Sequence, residues 1–365
     1  MKHSPLAHLR AALDDLQARN LLRTPPAPLP AGAASFCTND YLGLASTQAG
    51  LAASGAGASR LIAGEREVHA RLERTVAGWL GLPAALLFSS GYAANVGTLG
   101  ALARTGDLIV SDALNHASLI DGARLSGAHI VVTKHTDLNE VRGALARRGD
   151  RRAWVVTESY FSMDADGPDL RALREICDAS DAALFVDEAH ALGVFGPDGS
   201  GLCAEAGVQA DVLVGTFGKA FGVSGAFVAG SETLRSWLWN RARSFVFSTG
   251  VSPVLALAAL TNFERARREP QLRSRVLENA KRLRAGLREL GLAPLGEGPI
   301  VPWLVGAPEE AERVAVAIRA RGHHVVAVRP PTVPHGTSRL RLVVTASHTH
   351  DQIDSLLEAV AAVLR

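Results

Sequence analysis

Charge of one sign is what this 365-residue chain most visibly lacks: its formal net charge is +2, and no run of like charges exceeds a few residues. Without a basic excess there is no electrostatic case for nucleic acid as a partner, which leaves small molecules. Cysteine is equally sparse. Cys37, Cys177 and Cys203 are odd in number and far apart, which excludes a disulfide framework and a CxxC metal site and points to a reducing compartment. Long apolar runs are absent, every one falling well short of the roughly 18 to 20 residues that cross a bilayer. With no charged-then-apolar leader at the start, the expectation is a cytoplasmic protein that engages no membrane. Internal repeats and low-complexity segments are missing too, which argues against repeat architectures.

What remains is an ordinary globular composition, 47% hydrophobic and 20% charged, on a chain longer than one typical domain. Leu6, Leu9, Leu13 and Leu16 recur at helical spacing, which predicts an amphipathic helix from Leu6 to Leu22, ended by Thr24-Pro25-Pro26 and followed by a Pro/Ala/Gly arm to Ala34. Seven short β-rich runs come next: Ala84 to Phe88, Leu108 to Val110, Ile130 to Thr133, Trp154 to Thr157, Ala183 to Val186, Val212 to Gly215 and Ala226 to Ala229. Most are separated by enough chain for a helix, the pattern of crossover units in a mostly parallel sheet buried on both faces. The last two are too close for a crossover, so one strand is expected to run antiparallel. A mostly helical stretch from Pro253 to Leu290, strand candidates at Val325 to Val328 and Arg339 to Val344, and a closing helix from His350 to Leu364 read as an α+β cap. The predicted division is an N-terminal helix and arm over 1–40, a large domain over 41–243 and a small C-terminal domain over 244–365.

In parallel α/β sheets the ligand sits outside the carboxyl ends of the strands, so the polar residues just after these runs carry the most weight. Ser89-Ser90-Gly91-Tyr92 follows the first run, Glu158 and Ser162 the fourth, Asp187-Glu188-Ala189-His190 the fifth and Thr216-Phe217-Gly218-Lys219 the sixth. Each alone has a bland explanation: a Ser-Gly after a strand is usually a helix cap, a carboxylate there a turn residue, and a lysine in a Gly-rich loop is usually solvated. Together they fit one chemistry. A lysine that bonds covalently to a carbonyl needs a partly desolvated loop, and Gly215, Gly218, Gly222 and Gly225 around Lys219 let a bulky ring approach. A pyridinium nitrogen acting as an electron sink needs a fixed carboxylate, which Asp187 can supply. A phosphate needs helix-start N–H groups and small hydroxyls, which Ser90-Gly91-Tyr92 and Thr216 can supply. The set points to pyridoxal phosphate.

Other motifs fail on their own requirements. Asp187-Glu188-Ala189-His190 spells a helicase motif, but the phosphate loop GxxxxGK[ST] is missing, since Leu213 stands at its first glycine and Ala220 follows the lysine. Gly55-Ala56-Gly57-Ala58-Ser59-Arg60 lacks the last glycine of a dinucleotide loop and follows no strand. His323-His324 and the pair His348 and His350 have no acidic or cysteine partners at ligand spacing, so no metal site is expected and these histidines are read as surface residues.

Seven ordered segments carry a resemblance that runs nearly end to end. They are Asn39-Asp40-Tyr41-Leu42-Gly43-Leu44, Ser59-Arg60-Leu61-Ile62-Ala63-Gly64 with His69, Ser90-Gly91-Tyr92-Ala93-Ala94-Asn95, Asn115-His116-Ala117-Ser118, Glu158 through Asp164, Asp187 through His190, and Thr216 through Gly222. The chain resembles the α-oxoamine synthases, a branch of the fold-type I pyridoxal-phosphate enzymes. The resemblance implies an aminotransferase-like α/β fold with a mostly parallel seven-stranded sheet and a smaller C-terminal α+β domain. It also implies that Lys219 holds the cofactor covalently and moves the Cα proton, that Asp187 pairs with the pyridine nitrogen, and that His116 stacks on the ring. Ser162 and His190 would contact the ring's phenolic oxygen side; Thr216 would serve the cofactor and its phosphate, and Gly91 and Tyr92 either that region or the acyl substrate. Arg329 would hold the substrate carboxylate, Asn39 and Thr332 would touch substrate, and Arg23 would meet the acyl donor. Family members are homodimers, and Ser248 and Thr249 resemble hydroxyls sent to a neighbouring subunit's phosphate.

Within the family, Thr216 through Gly225 and Val328 through Pro334 are most like the branch that joins L-alanine to a pimeloyl thioester, carried by coenzyme A or a carrier protein, in biotin biosynthesis. The alternative is a member acting on glycine with an acetyl thioester or on serine with a palmitoyl one, or one that makes an autoinducer. Three departures stand out: a short stretch between Leu44 and Ser59, Ala165 where relatives have glycine, and Gly167-Pro168-Asp169 where they have Ala-Pro-Leu.

Overall fold

The computed structural model describes residues 14–20, 22, 34–45, 50 and 52–365. Two compact units divide them: Asn39–Ser162 with Asp166–Leu277, and Met163–Ala165 with Glu278–Arg365 and the described residues up to Thr38. Of the predicted first helix, residues 14–18 are described and are helical. No helix among the described residues is long and apolar enough to cross a membrane.

The first strand, β1 (Ala34–Ser35), belongs to the smaller unit, and the larger unit opens with α1 (Glu67–Leu80) and β2 (Ala84–Phe88). There follow α2 (Gly91–Leu102), β3 (Leu108–Asp112), α3 (Ala117–Ser126), β4 (His129–Thr133), α4 (Leu138–Ala146), β5 (Ala153–Glu158), α5 (Leu170–Ala179) and β6 (Ala182–Asp187). The unit continues through α6 (Gly201–Ala206), β7 (Val212–Thr216), β8 (Ala226–Gly230), α7 (Glu232–Arg241), α8 (Arg243–Val246) and α9 (Pro253–Arg268) to the start of α10 (Gln271–Glu289). Among the described residues β2 to β8 form one seven-stranded sheet in the order β2-β8-β7-β6-β5-β3-β4. Its pairs are parallel except those of β8, which runs antiparallel to both β2 and β7. The expectation of one reversed strand holds for a simple reason. Only nine residues separate Thr216 from Ala226, enough for a reversing turn and too few for a crossover helix.

Every residue of β2, β3, β7 and β8 is buried, the edge strand β2 included, as expected of strands covered by helices on both faces. Leu86, Phe88, Ile109, Val156, Phe185, Val214 and Val228 of the sheet pack with Leu99 of α2, Leu119 of α3, Leu238 of α7 and Phe245 of α8. That core fixes the sheet as a rigid floor, so the strand ends are held in place.

In the smaller unit β9 (Ile300–Gly306), α11 (Pro308–Arg319), β10 (His323–His324), β11 (Ala327–Val328), β12 (Ser338–Val343) and α12 (His350–Leu364) follow in order. β12 lies between β11 and β9, antiparallel to both, while β10 pairs in parallel with β1. Three sequence expectations need correcting. The run Val325 to Val328 is not one strand: β10 and β11 flank a buried Val325 and pair with different partners. β9 was not expected because Pro302 interrupts its run, but β9 pairs only with β12, and an edge strand tolerates proline. His323 and His348 are buried and not on the surface: His348 stacks on Phe36 with ring centroids 4.1 Å apart, and His323 Nε2 lies 3.1 Å from Ser355 Oγ.

Candidate active site

The sheet's register gathers polar residues at one edge. Glu158, the last residue of β5, pairs with Asp187, the last of β6, and Phe88 of β2 and Thr216 of β7 both pair with Ala226 of β8. The loops leaving β2, β5, β6 and β7 therefore start at neighbouring points.

Asp187 is 6% exposed and fixed at both oxygens: Oδ2 accepts from Asn95 Nδ2 at 2.7 Å and Oδ1 from the Ala189 N–H at 2.8 Å. Beside it, buried Glu158 accepts from the His116 N–H at 2.8 Å. Burial pushes the Glu158 carboxyl up to about 8, with the charge of Asp187 adding to the shift and that of Lys219 opposing it. Two adjacent buried carboxyls resist sharing two negative charges, so near neutrality Glu158 retains its proton.

His116 caps α3: its Nδ1 accepts from the Ser118 N–H at 3.2 Å and lies 2.7 Å from Ser118 Oγ. Partial desolvation moves the imidazole below its ordinary value, with the charge of Asp187 opposing and that of Lys219 adding. Lys219 stands half-buried in the turn between β7 and β8. Thr216 closes that turn, its Oγ1 accepting from the Gly218 N–H at 3.0 Å and donating to the Gly225 carbonyl at 2.9 Å. Gly222 follows at φ +64°, where a Cβ would meet the Ala45 nitrogen at 2.4 Å. Only glycine fits there, which fixes how the lysine loop leaves the sheet.

Ser90 is the helix cap of the bland reading, accepting from the Ala93 N–H at 3.1 Å. Gly91 opens α2 so close to the lysine turn that a Cβ on it would lie 4.0 Å from Thr216 Cβ. The free N–H groups of a helix start thus adjoin a threonine turn, a fit for a phosphate. Tyr92 is exposed, and its hydroxyl donates to Asp121 of α3. His190 is buried with its Nδ1 2.7 Å from Tyr41 Oη, and the Tyr41 hydroxyl lies 3.4 Å from Asn39 Oδ1, so these three form one group. Ser162 is partly buried in the turn after β5. Ser248 and Thr249 follow α8 and, with Arg60, Ser89 and Ser244, line a small pocket. Arg329 and Thr332 lie in the smaller unit, where the Thr332 N–H donates to the Arg329 carbonyl at 3.1 Å. Arg329 Nη1 there donates to the Asn20 carbonyl at 2.6 Å. Arg23 lies outside the described residues.

Sequence reasoning gave no role to Asn95, Ser118 or Tyr41. One signal was available for Asn95: a polar residue four positions after Gly91, within a helix otherwise made of small and apolar residues. A second signal for Lys219 went unused. The chain has four lysines, Lys2, Lys134, Lys219 and Lys281; among the described ones Lys134 and Lys281 are exposed and Lys219 alone is half-buried. The donor set, a buried carboxylate, a loop lysine, an imidazole and a helix start, fits pyridoxal phosphate.

Comparison with known proteins agrees. The sequence profile described as aminotransferase class I and II matches residues 33–360. An 8-amino-7-oxononanoate synthase of Anaeromyxobacter dehalogenans (strain 2CP-1) is 48% identical over 342 residues, covering 90% of this chain and 86% of the relative. One from Methylococcus capsulatus is 45% identical over 341 residues, 90% of this chain and 88% of the relative. Among solved structures, a serine palmitoyltransferase of Sphingomonas wittichii superposes with a TM-score of 0.90 at 28% identity, covering 99% of this chain and 97% of that one. An 8-amino-7-oxononanoate synthase from Francisella tularensis gives 0.78 at 26% identity, covering 91% and 98%.

Proposed function

The chain belongs to the class I and II aminotransferase family and, within it, to the 8-amino-7-oxononanoate synthases, and from that premise we propose that it condenses L-alanine with a pimeloyl thioester. The products are 8-amino-7-oxononanoate, CO2 and the free thiol carrier, a step of biotin biosynthesis. It is a pyridoxal-phosphate-dependent acyltransferase. The observation that most supports this reading is the single electrostatic cluster of Asp187, Glu158, His116 and Lys219 at the carboxyl edge of the sheet.

The bound cofactor supplies a sink for the electrons left on Cα when a bond to that carbon breaks. Lys219 would hold it, and its amine would serve as the base that removes the substrate Cα proton. Asp187, fixed from two sides, would pair with the ring nitrogen. His116 would stack on the ring, Ser162 and His190 would contact its phenolic oxygen side, and Gly91, Tyr92 and Thr216 would serve the phosphate side. Arg329 takes the alanine carboxylate, Asn39 and Thr332 meet the substrate, and Arg23 meets the acyl donor. In this reading the protein is a cytoplasmic homodimer in which Ser248 and Thr249 of one copy reach the phosphate held by the other.

The deciding assay incubates the holoenzyme with alanine, glycine or serine against pimeloyl, acetyl and palmitoyl thioesters, reading thiol release and product mass. Turnover confined to alanine with pimeloyl is expected, and both pimeloyl-CoA and a pimeloyl carrier protein are supplied. Preference for serine with palmitoyl refutes the substrate assignment in favour of the activity named for the structural neighbour of 0.90 TM-score. Sedimentation of the holoenzyme tests the dimer.

A further inference from the structure

We propose that Ser118 and Asn95 are positioning residues that hold His116 in a single neutral tautomer, with the proton on Nε2 and a bare lone pair on Nδ1. The inference rests on the site reading above and deepens it. A backbone N–H can only donate, so the Ser118 N–H at 3.2 Å from Nδ1 requires that nitrogen to be unprotonated. The Ser118 hydroxyl, 2.7 Å away, is free to donate to the same nitrogen, because its oxygen accepts from Asn95 Nδ2 at 2.9 Å. The second hydrogen of Asn95 Nδ2 goes to Asp187 Oδ2 at 2.7 Å. An ionised carboxylate only accepts, so Asp187 sets the orientation of the Asn95 amide, and every later donor follows: Asn95 to Ser118, Ser118 to His116. Asn95 is 1% exposed and its Oδ1 has no hydrogen-bond partner. Flipping the amide would satisfy nothing there and would set a carbonyl oxygen against the carboxylate.

The cap adds a second constraint. Protonating Nδ1 would break the N-terminal hydrogen bond of α3 and place a cation at the positive end of that helix. The titratable groups facing His116 are Glu158, at its backbone N–H, with Asp187 and Lys219. No described residue hydrogen-bonds Nε2, and His116 is exposed. His116 thus offers a ligand one N–H donor and no base. The acid at the ring nitrogen and the imidazole on the ring face are consequently joined by one directed chain.

Nitrogen-15 NMR of histidine-labelled protein tests this, in holoenzyme and without cofactor, because it reads each ring nitrogen directly and separates His116 from Glu158, Asp187 and Lys219. The wild type is expected to show a single Nε2–H tautomer for His116 around neutral pH. In Ser118→Ala one donor to Nδ1 is lost, so the His116 titration moves up by about half a unit to one unit, and Ser118→Thr restores it. A wild-type Nδ1–H signal overturns the proposal even if the variant does not fold, as does a titration that Ser118→Ala leaves unmoved. An intact cofactor band on Lys219 alongside the wrong tautomer sinks the lock alone, whereas no band sinks the underlying site reading.

Discussion

His116 and His348 share one kind of hydrogen bond, a backbone N–H donated to Nδ1, and they part at the other nitrogen. In the smaller unit His348 Nδ1 accepts from the Thr345 N–H at 3.0 Å, and Nε2, 3.1 Å from the Ser35 carbonyl, donates to it. Both nitrogens are used up by the backbone, and the ring joins β1 to the end of β12. At the sheet edge of the larger unit His116 spends Nδ1 on α3 and keeps Nε2 open. Burial of a titratable side chain is therefore no mark of function by itself. An atom left open beside a cluster of titratable groups, here Asp187, Glu158 and Lys219, is the stronger sign.

The contrast can be broken from either side. Lys219→Ala is expected to have the largest effect, abolishing the bound-cofactor absorbance and lowering turnover by at least about a thousandfold, with the far-ultraviolet dichroism of the folded chain retained. Retained absorbance and turnover in that variant would remove the site from this edge of the sheet. Asp187→Asn is next, with turnover down by about 100-fold or more while cofactor content stays near that of the wild type; kcat and cofactor stoichiometry measured on one preparation decide it. An unchanged kcat would leave Asp187 as structural as His348.

His348 should respond in stability and not in chemistry. Burial holds its imidazole down to about 4, against an ordinary value of 6.5. Between those values the unfolded chain binds a proton that the folded chain refuses, so stability is full above pH 6.5 and falls as pH drops towards 4, by about 3 kcal/mol in all. Urea midpoints across that range should show the decline in the wild type, and His348→Leu should flatten it while leaving kcat per folded molecule unchanged. A decline equally steep in His348→Leu would assign it to other groups.

The smallest effect is expected at Ala165, also in the smaller unit. It sits at φ +58° and is 2% exposed, and its carbonyl accepts from the Glu297 N–H at 3.0 Å. A left-handed alanine is strained, so Ala165→Gly should raise stability by about 1 kcal/mol. A lower melting temperature in that variant would count against strain there. Glycine, the residue the family resemblance led one to expect here, fits the same backbone. Gly167 has its own cause: a Cβ on it would come within 2.1 Å of the Ser159 carbonyl oxygen.

The strands of the sheet were legible almost to the residue, because each is a short apolar run, mostly buried except in the edge strand β4, and that composition is a local property. Lys219 and Asp187 were legible because they directly follow such runs. β9 was missed because proline argues against a strand unless the strand is known to be an edge, and an edge exists only once the sheet is assembled. His323 and His348 were misplaced because histidines without metal-ligand partners in sequence read as surface residues, while their neighbours in space, Phe36 and Ser355 among them, are distant in the chain. Asn95 was passed over for the same reason, since Asp187 lies 92 positions away.

By itself the sequence determined the kind of chemistry, for a lysine among glycines, a carboxylate at a strand end and a helix start are local features whose meaning depends on residue type and short spacing. Only the tertiary structure decided protonation and direction: that Glu158 holds its proton, which way the Asn95 amide faces, and which nitrogen of His116 stays open. Those are set by electrostatics and hydrogen bonds between groups that only folding brings within 3 Å or so of each other.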